Sequence, residues 1–431
     1  CHRERQDHYL NKLASCRECD FYHMVLAEEG TLNLRTTFLR FACGHHAGTP
    51  ILKQLHQTII KPGTRFVFQG REMDEAYIIR RGACIVLVEK DGHLYPVDHR
   101  SVGDLVNMSA LFTGEPSMAH VESESEIDAW VIQKSAFHTI PENDPDLWEF
   151  LTEIVADRFD SKRPTSYRTI GHYLITEIIG RGGYSIVYKG KDLITQKPVA
   201  IKMMRHHMVL DSDFLEKLKR EAHIVNLLDH ENIIRVYDMV ERYRTIFIIM
   251  EYLEGESILE KIQRHKTIPP QTAVYYLIQA CHAIQYAYGI GILHRDINPG
   301  NLMVVENNRI KLVDFGVACS LQEEDDLFDG AFPYLAPEIL QGETPSLQSD
   351  IYALGISAFE MVTGQRPYPE DDPARFTQIR CTEEIPDPKQ LVPELSHRLA
   401  RFIVTACRID PARRFKNMTA AVDLLTQGKS D

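Results

Sequence analysis

His294-Arg295-Asp296-Ile297-Asn298-Pro299-Gly300-Asn301 leads into the apolar run Leu302–Val305, the polar Glu306-Asn307-Asn308, the alternating run Arg309–Val313, and Asp314-Phe315-Gly316. Two short strands joined by Asn307-Asn308 spell a tight two-residue hairpin, because Asn tolerates the positive φ of such turns. That turn pairs 306 with 309 and 302 with 313, and so sets Asn301 opposite Asp314. Residues directly opposed on antiparallel strands lie roughly 4.5–5.5 Å apart. An amide oxygen and a carboxylate then converge at one end of the hairpin, the hard-oxygen pair that a Mg²⁺ ion on phosphates requires.

Upstream, Ile178-Ile179-Gly180-Arg181-Gly182-Gly183-Tyr184-Ser185-Ile186-Val187 follows a strand pattern. Glycines there let main-chain N–H groups approach phosphate oxygens. The strand Val199-Ala200-Ile201-Lys202 closes on a lysine, which needs an anionic partner if buried. Phe214, Leu218, Val225 and Leu228 mark one face of the next helix, and Glu221 falls within that stripe. A carboxylate on a buried face needs a cation, and Lys202 is the natural one.

These stretches, in this order and spacing, resemble the protein kinases over roughly 255 residues. The resemblance implies that ATP lies under the loop Gly180, Gly182, Gly183 and Ser185. Val187, Ala200 and Lys202 would line its site, with Met250, Glu251 and Leu253 as the hinge receiving adenine. It implies a Lys202–Glu221 pair, Mg²⁺ ligands at Asn301 and Asp314, and Asp296 orienting the acceptor hydroxyl. Ala336-Pro337-Glu338, Ser349-Asp350 and Asp410–Arg414 match structural motifs of the C-terminal lobe, where counterparts of Glu338 and Arg414 form a buried ion pair. Two departures stand out. Serine/threonine kinases of this family carry Lys where Asn298 stands in the catalytic loop, and Thr where Ala331 stands. Both family residues touch the catalytic Asp, so one network loses two partners. The reading is an ATP- and Mg²⁺-dependent serine/threonine protein kinase; the alternative is an ATP-binding pseudokinase acting as a signalling scaffold. In the activation segment, Glu323-Glu324-Asp325-Asp326 is read either as a stand-in for phosphate facing Arg295 or as a solvated acidic loop.

Residues 51–160 read as all-β, with Gly turns such as Lys61-Pro62-Gly63, Arg81-Gly82 and Val102-Gly103-Asp104 between short apolar runs. They resemble the jelly-roll cyclic-nucleotide-binding domain, including that of cyclic-AMP-receptor and fumarate-nitrate-reduction regulators. The helix Asp146–Phe159 fits the one following that barrel. In the family's phosphate cassette a Glu holds the ribose and an Arg neutralises the phosphate; here Met108 and Ser117 stand at those places. A buried phosphate without a cation is costly, so cyclic AMP and GMP are not the expected ligands.

Residues 1–50 hold Cys16, Cys19, His23 and Cys43. No metal, a zinc site and an iron–sulfur cluster are all compatible with that spacing. The expected architecture is multidomain: residues 1–50 a Cys/His segment, 51–160 the jelly roll, 161–170 a linker, and 171–428 the α+β bilobal kinase domain. A net charge of −13 argues against a nucleic-acid partner. No apolar run reaches the ~20 residues of a membrane span. Nine Cys, mostly scattered singly, suit a reducing cytoplasm, and the resemblance implies a bacterial protein. The substrate protein is not legible, and a dimer through the helix after the barrel is left open.

Overall fold

The computed structural model describes residues 55–137, 145–159, 168–206, 228–314, 332–368 and 372–426. Cys16, Cys19, His23, Cys43, Glu221, the acidic run 323–326 and Ala331 lie outside them. The chain divides into two compact units, Cys1–Leu210 with Val240–Phe247, and Asp211–Met239 with Ile248–Asp431.

The first unit opens with two antiparallel four-stranded sheets. One runs β1 (His56–Ile60), β8 (Ile127–Gln133), β3 (Glu75–Arg81), β6 (Leu105–Val106). The other runs β2 (Arg65–Val67), β7 (His120–Ser123), β4 (Cys84–Lys90), β5 (His93–Arg100). Strand alternation turns Val67, Tyr77, Ile79, Val86, Val121, Ala129 and Val131 into one shared core. Asp91-Gly92 joins β4 to β5 with Lys90 opposite His93; both turn residues have positive φ, as a twist-compatible two-residue hairpin demands. Gly82 also has positive φ, and a Cβ there would overlap the Glu126 carbonyl, so no other residue fits. This is the expected jelly roll. Helices α1 (Met108–Thr113), α2 (Lys134–Phe137) and α3 (Pro145–Arg158) follow its strands. On α3, Phe150, Leu151, Ile154 and Val155 are buried, as their spacing predicts.

The unit continues into a six-stranded sheet in the order β13 (Val236–Arg242), β14 (Thr245–Glu251), β12 (Pro198–Met204), β11 (Ser185–Asp192), β10 (Tyr173–Arg181), β9 (Thr169–Ile170). Strands β9, β10, β11 and β12 belong wholly to this unit, and β13 and β14 enter it over Val240–Phe247. Register sets Val187 opposite Lys202 and Tyr188 opposite Ile201. Val187, Ala200 and Lys202 therefore share one face, and Ile186, Tyr188, Ile201 and Met203 the other.

In the second unit, α4 (Ile258–His265) carries a full capping box, Ser257 with Glu260. The run read as a buried helix is α5 (Pro270–Gly289). Gln279, a polar break in its pattern, accepts the Ile310 N–H and an Asn232 amide hydrogen, each at 2.9 Å. It thereby anchors β17 (Arg309–Leu312) against the helix. β15 (Glu256–Ser257), β16 (Leu302–Val305) and β17 form a three-stranded sheet. Helices α6 (Pro337–Leu340), α7 (Leu347–Thr363), α8 (Pro373–Thr382), α9 (His397–Ala406) and α10 (Met418–Thr426) complete the unit. α7 is buried nearly all round. No described helix is long and apolar enough to cross a membrane.

The hairpin register differs from the sequence reading by one residue. Val305 pairs with Arg309 and Leu302 with Leu312, so the connection is the three-residue Glu306-Asn307-Asn308. Both Asn residues do adopt positive φ, at 59° and 56°. Glu306 joins them in a helical turn rather than extending the ladder. Asn301 consequently faces Val313, whose N–H reaches the Asn301 carbonyl at 3.0 Å. Asp314 leaves the strand with φ 62°, so its direction comes from a left-handed main chain and not from cross-strand pairing.

Candidate active site

The second unit gathers Asp296, Asn298 and Asn301. Asn298 Nδ2 donates to Asp296 Oδ1 at 2.8 Å, and Asn301 Nδ2 donates to Asp296 Oδ2 at 2.7 Å. Each carboxylate oxygen thus carries one amide donor. Asn298 caps the 3₁₀ turn Pro299–Asn301 by accepting the Gly300 N–H at 2.9 Å. Its orientation is fixed by that bond, because a flipped amide would aim N–H at N–H. Asn301 Nδ2 also reaches the Asp296 carbonyl at 2.9 Å. With its nitrogen turned inward, the outward group of that amide is the oxygen, a hard ligand of the kind Mg²⁺ takes.

His294 and Asp350 hold this loop from below, and sequence reasoning gave neither a role in the site. His294 is 1% exposed. Its Nδ1 accepts the Asp296 N–H at 3.2 Å and its Nε2 faces the Val313 carbonyl at 2.9 Å. Those partners require the neutral tautomer with hydrogen on Nε2. The ring ties the loop to the strand that delivers Asp314. Asp350 accepts the N–H groups of His294 and Arg295, both at 2.9 Å, while Arg295 adopts φ 66°. Burial pushes the Asp350 carboxyl from the usual 3.8 up to about 6, against those two donors and the Arg295 charge.

A raised carboxyl value means that the fold binds the proton more tightly than the open chain. Its stability contribution is then full below about pH 4 and is lost as pH rises through 6. Asp350→Asn removes this titration. Urea unfolding of both proteins between pH 4 and 7 should show their stability difference changing by on the order of 3 kcal/mol. Parallel curves over that range would refute the assignment.

The carboxylate of Glu251, a residue expected at the hinge, is taken by Lys311 Nζ at 2.6 Å and by the Arg235 N–H at 2.8 Å. Met250 is buried and Leu253 half-buried. Arg380 is a residue the sequence did not flag. It is fully buried, donates to the carbonyls of Phe332, Pro333 and Leu335, and lies 5.2 Å and 5.1 Å from the rings of Tyr352 and Phe376. It pins the segment entering Ala336-Pro337-Glu338. Glu338 in turn meets Arg414 through two bonds of 2.6 and 2.7 Å.

In the first unit, Lys202 is 7% exposed on the same sheet face as Val187 and Ala200. Ser185 opens β11 and is buried. The hairpin turn is closed by the Gly182 N–H on the Ser185 carbonyl at 2.9 Å and by Arg205 Nε on the Gly182 carbonyl at 3.0 Å. A Cβ on Gly180 or Gly182 would meet nothing nearer than 3.7 Å. Packing therefore does not demand glycine at either position. At Gly190 it does, since a Cβ would stand 2.7 Å from the Leu174 carbonyl.

The jelly roll encloses a cavity of about 130 Å³ lined by residues that include Met108, Ser117, Arg100 and Asp98. Ser117 Oγ is turned to Asn107 Oδ1 at 2.6 Å, and Arg100 pairs with Asp98 at 2.9 Å. Among the described residues, no group of three or more His, Cys, Asp or Glu side chains is placed to hold a metal ion.

An all-β jelly roll followed by an α+β fold with these loops is the two-domain architecture expected from the sequence. The family model described as "Protein kinase domain" matches residues 173–424, more than half the chain, and "Cyclic nucleotide-binding domain" matches 57–144. The chain belongs to the protein kinase family. It is 34% identical over 253 residues to the serine/threonine-protein kinase PrkC of Bacillus subtilis, covering 58% of this chain and 39% of that protein. It is 31% identical over 269 residues to PknA of Corynebacterium glutamicum, covering 60% and 57% respectively. The PknI kinase domain of Mycobacterium tuberculosis superposes with a TM-score of 0.50 at 25% identity, covering 60% of this chain and 95% of that one. The chain thus spans between about two fifths and three fifths of those two curated relatives.

Proposed function

We propose that this chain is a serine/threonine protein kinase that uses ATP with Mg²⁺ and is regulated through its N-terminal jelly roll. The observation that carries the reading is the pair of amide donors on Asp296. The family lysine is absent, yet Asn298 keeps a 2.8 Å bond to the carboxylate. Asp296 is thereby oriented to accept the proton of an incoming hydroxyl, and the missing cation affects rate rather than geometry. Asn301 Oδ1 and the Asp314 carboxylate fit a divalent ion in donor chemistry. Bound there, Mg²⁺ would neutralise charge on the β- and γ-phosphates. Lys202 would set the phosphates under the loop Gly180–Ser185, where glycines are not needed for packing. This favours an active enzyme over the pseudokinase scaffold. Residues 51–160 and 171–428 serve as the working bounds of the two domains, and 1–50 and 161–170 as the flanking segment and linker.

The test is transfer of labelled phosphate from Mg²⁺-ATP by the full chain, to itself and to a generic basic protein substrate. Asp314→Asn provides the blank, and arms with added cyclic AMP or GMP probe the jelly roll. Asp314-dependent phosphoserine or phosphothreonine, at a rate those nucleotides leave unchanged, is the expected result. No transfer above the Asp314→Asn blank would leave the scaffold reading standing. Acceleration by either nucleotide would show that the cavity admits it despite Met108 and Ser117.

A further inference from the structure

Helix α3 is the last element of the jelly-roll domain, yet half of it packs on the kinase sheet. Between Phe150 and Ala156 every residue is 9% exposed or less. That is not the pattern of a surface helix, which leaves one face wet. One side serves the jelly roll: Phe150 meets Phe112 edge-on at 5.3 Å, and Ile154 lines the cavity described above. The other side, at spacing i, i+1, i+4 and i+7, is Thr152, Glu153, Ala156 and Phe159.

Phe159, just past the helix, is 1% exposed and enters an aromatic cluster. Its ring centroid stands 5.6 Å from Tyr188, 5.8 Å from Phe247 and 6.1 Å from Tyr243. Tyr188 belongs to the sheet face opposite Lys202. Thr152 Oγ1 meets His206 at both Nδ1 and main-chain N–H, each at 3.1 Å, and His206 Nε2 reaches the Tyr243 carbonyl at 2.9 Å. His206 lies just beyond β12, the strand bearing Lys202. Glu153 receives Arg181 Nη1 at 3.1 Å on Oε1 and 3.4 Å on Oε2. Arg181 is the residue between Gly180 and Gly182, at the mouth of the glycine-rich hairpin. A second link runs from Arg242 to Glu115 at 3.0 Å.

We propose that Glu153, contributed by the N-terminal domain, is a positioning residue for the glycine-rich hairpin, acting through Arg181. The inference rests on the kinase reading for its activity readout but not for its structural one. Main-chain bonds and Arg205 also hold the hairpin. A carboxylate fixed on a buried helix gives Arg181 a rigid anchor. Glu153 is 11% exposed at its side chain and Arg181 45%. The pair is thus half in solvent, and its effect should be moderate and should weaken with salt.

The experiment compares full-length wild type with Glu153→Gln, Arg181→Gln, the double Gln variant, and the charge-swapped pair Glu153→Arg with Arg181→Glu. Each is followed by KM for ATP, kcat, binding of a fluorescent ADP analogue, thermal melting, and hydrogen exchange of amides 180–186. Each single change is expected to raise KM and the analogue's Kd about two- to fivefold with kcat altered less, and to speed exchange in the hairpin. The double Gln variant should be no worse than either single one, and the charge swap should recover part of the affinity. Unchanged hairpin exchange and unchanged analogue affinity in Glu153→Gln would overturn the proposal, even in a catalytically silent protein. Additive effects of the two Gln changes would overturn it as well. Absence of phosphate transfer by wild type, with exchange and affinity shifted as expected, would instead remove the kinase reading and leave the positioning contact standing.

Discussion

Asp296→Asn is expected to lower turnover by about three orders of magnitude while ATP affinity changes less than about twofold. The substitution keeps shape and one oxygen, so the fold should persist. What it removes is the second acceptor. In the native loop Asn298 and Asn301 each aim an N–H at one carboxylate oxygen. An Asn at 296 must turn its own NH₂ toward one of them. Asn298 cannot flip in response, because its oxygen is held by the Gly300 N–H. Asn301 cannot flip without losing its bond to the Asp296 carbonyl. The site therefore loses both the proton acceptor and one of the two amide bonds that orient it. Single-turnover phosphorylation, with melting as a control for folding, reads the effect. Retention of more than a tenth of wild-type turnover would show that Asp296 is not the group that meets the hydroxyl.

Arg414→Ala should be the most destabilising of the changes considered. Arg414 is fully buried at its side chain and Glu338 nearly so, at 7%. The guanidinium bonds both Glu338 oxygens, and also the carbonyls of Gln348, Arg408 and Ile409, and lies 4.8 Å over the Tyr352 ring. Removing it leaves a buried carboxylate and three carbonyls without their donor. Breaking a buried pair from one side costs about 3–5 kcal/mol. For a unit of this size that corresponds to a fall in melting temperature on the order of 10 °C. Removing both charges with Glu338→Leu and Arg414→Leu should recover part of the loss, since the stranded carboxylate disappears while the carbonyls remain unpaired. Denaturant unfolding of wild type, the single variant and the double variant measures this. A loss under about 1 kcal/mol in Arg414→Ala would mean that water reaches Glu338 in solution.

Much of the site was legible because its chemistry is written locally. Asp296, Asn298 and Asn301 fall within six residues, and the Gly300 turn brings their side chains together with little help from the rest of the fold. The kinase resemblance assigned Val187, Ala200 and Lys202 to one site, and the strand register sets them on one sheet face. The hairpin register was misjudged by one residue because periodicity does not reveal whether Glu306 ends a strand or begins a turn. Asp314 was set opposite Asn301 by strand pairing, whereas a left-handed main chain directs it.

Other features had no local signal. Arg380 stands in an ordinary polar-looking helix, and nothing near it announces that three carbonyls some 45 residues earlier will surround it. Glu153 belongs to a helix whose apolar stripe was fully explained by the jelly roll, so its second face went unread.

The family, the two folds and the cluster at Asp296 could be read from the chain's order of residues, because motifs, turns and alternation depend on neighbours a few bonds away. Packing of distant segments was needed to reveal the partners of Asp350, Arg380 and Glu153. Those contacts join groups tens of residues apart, and a buried charge takes whatever donor or acceptor the packed chain brings beside it.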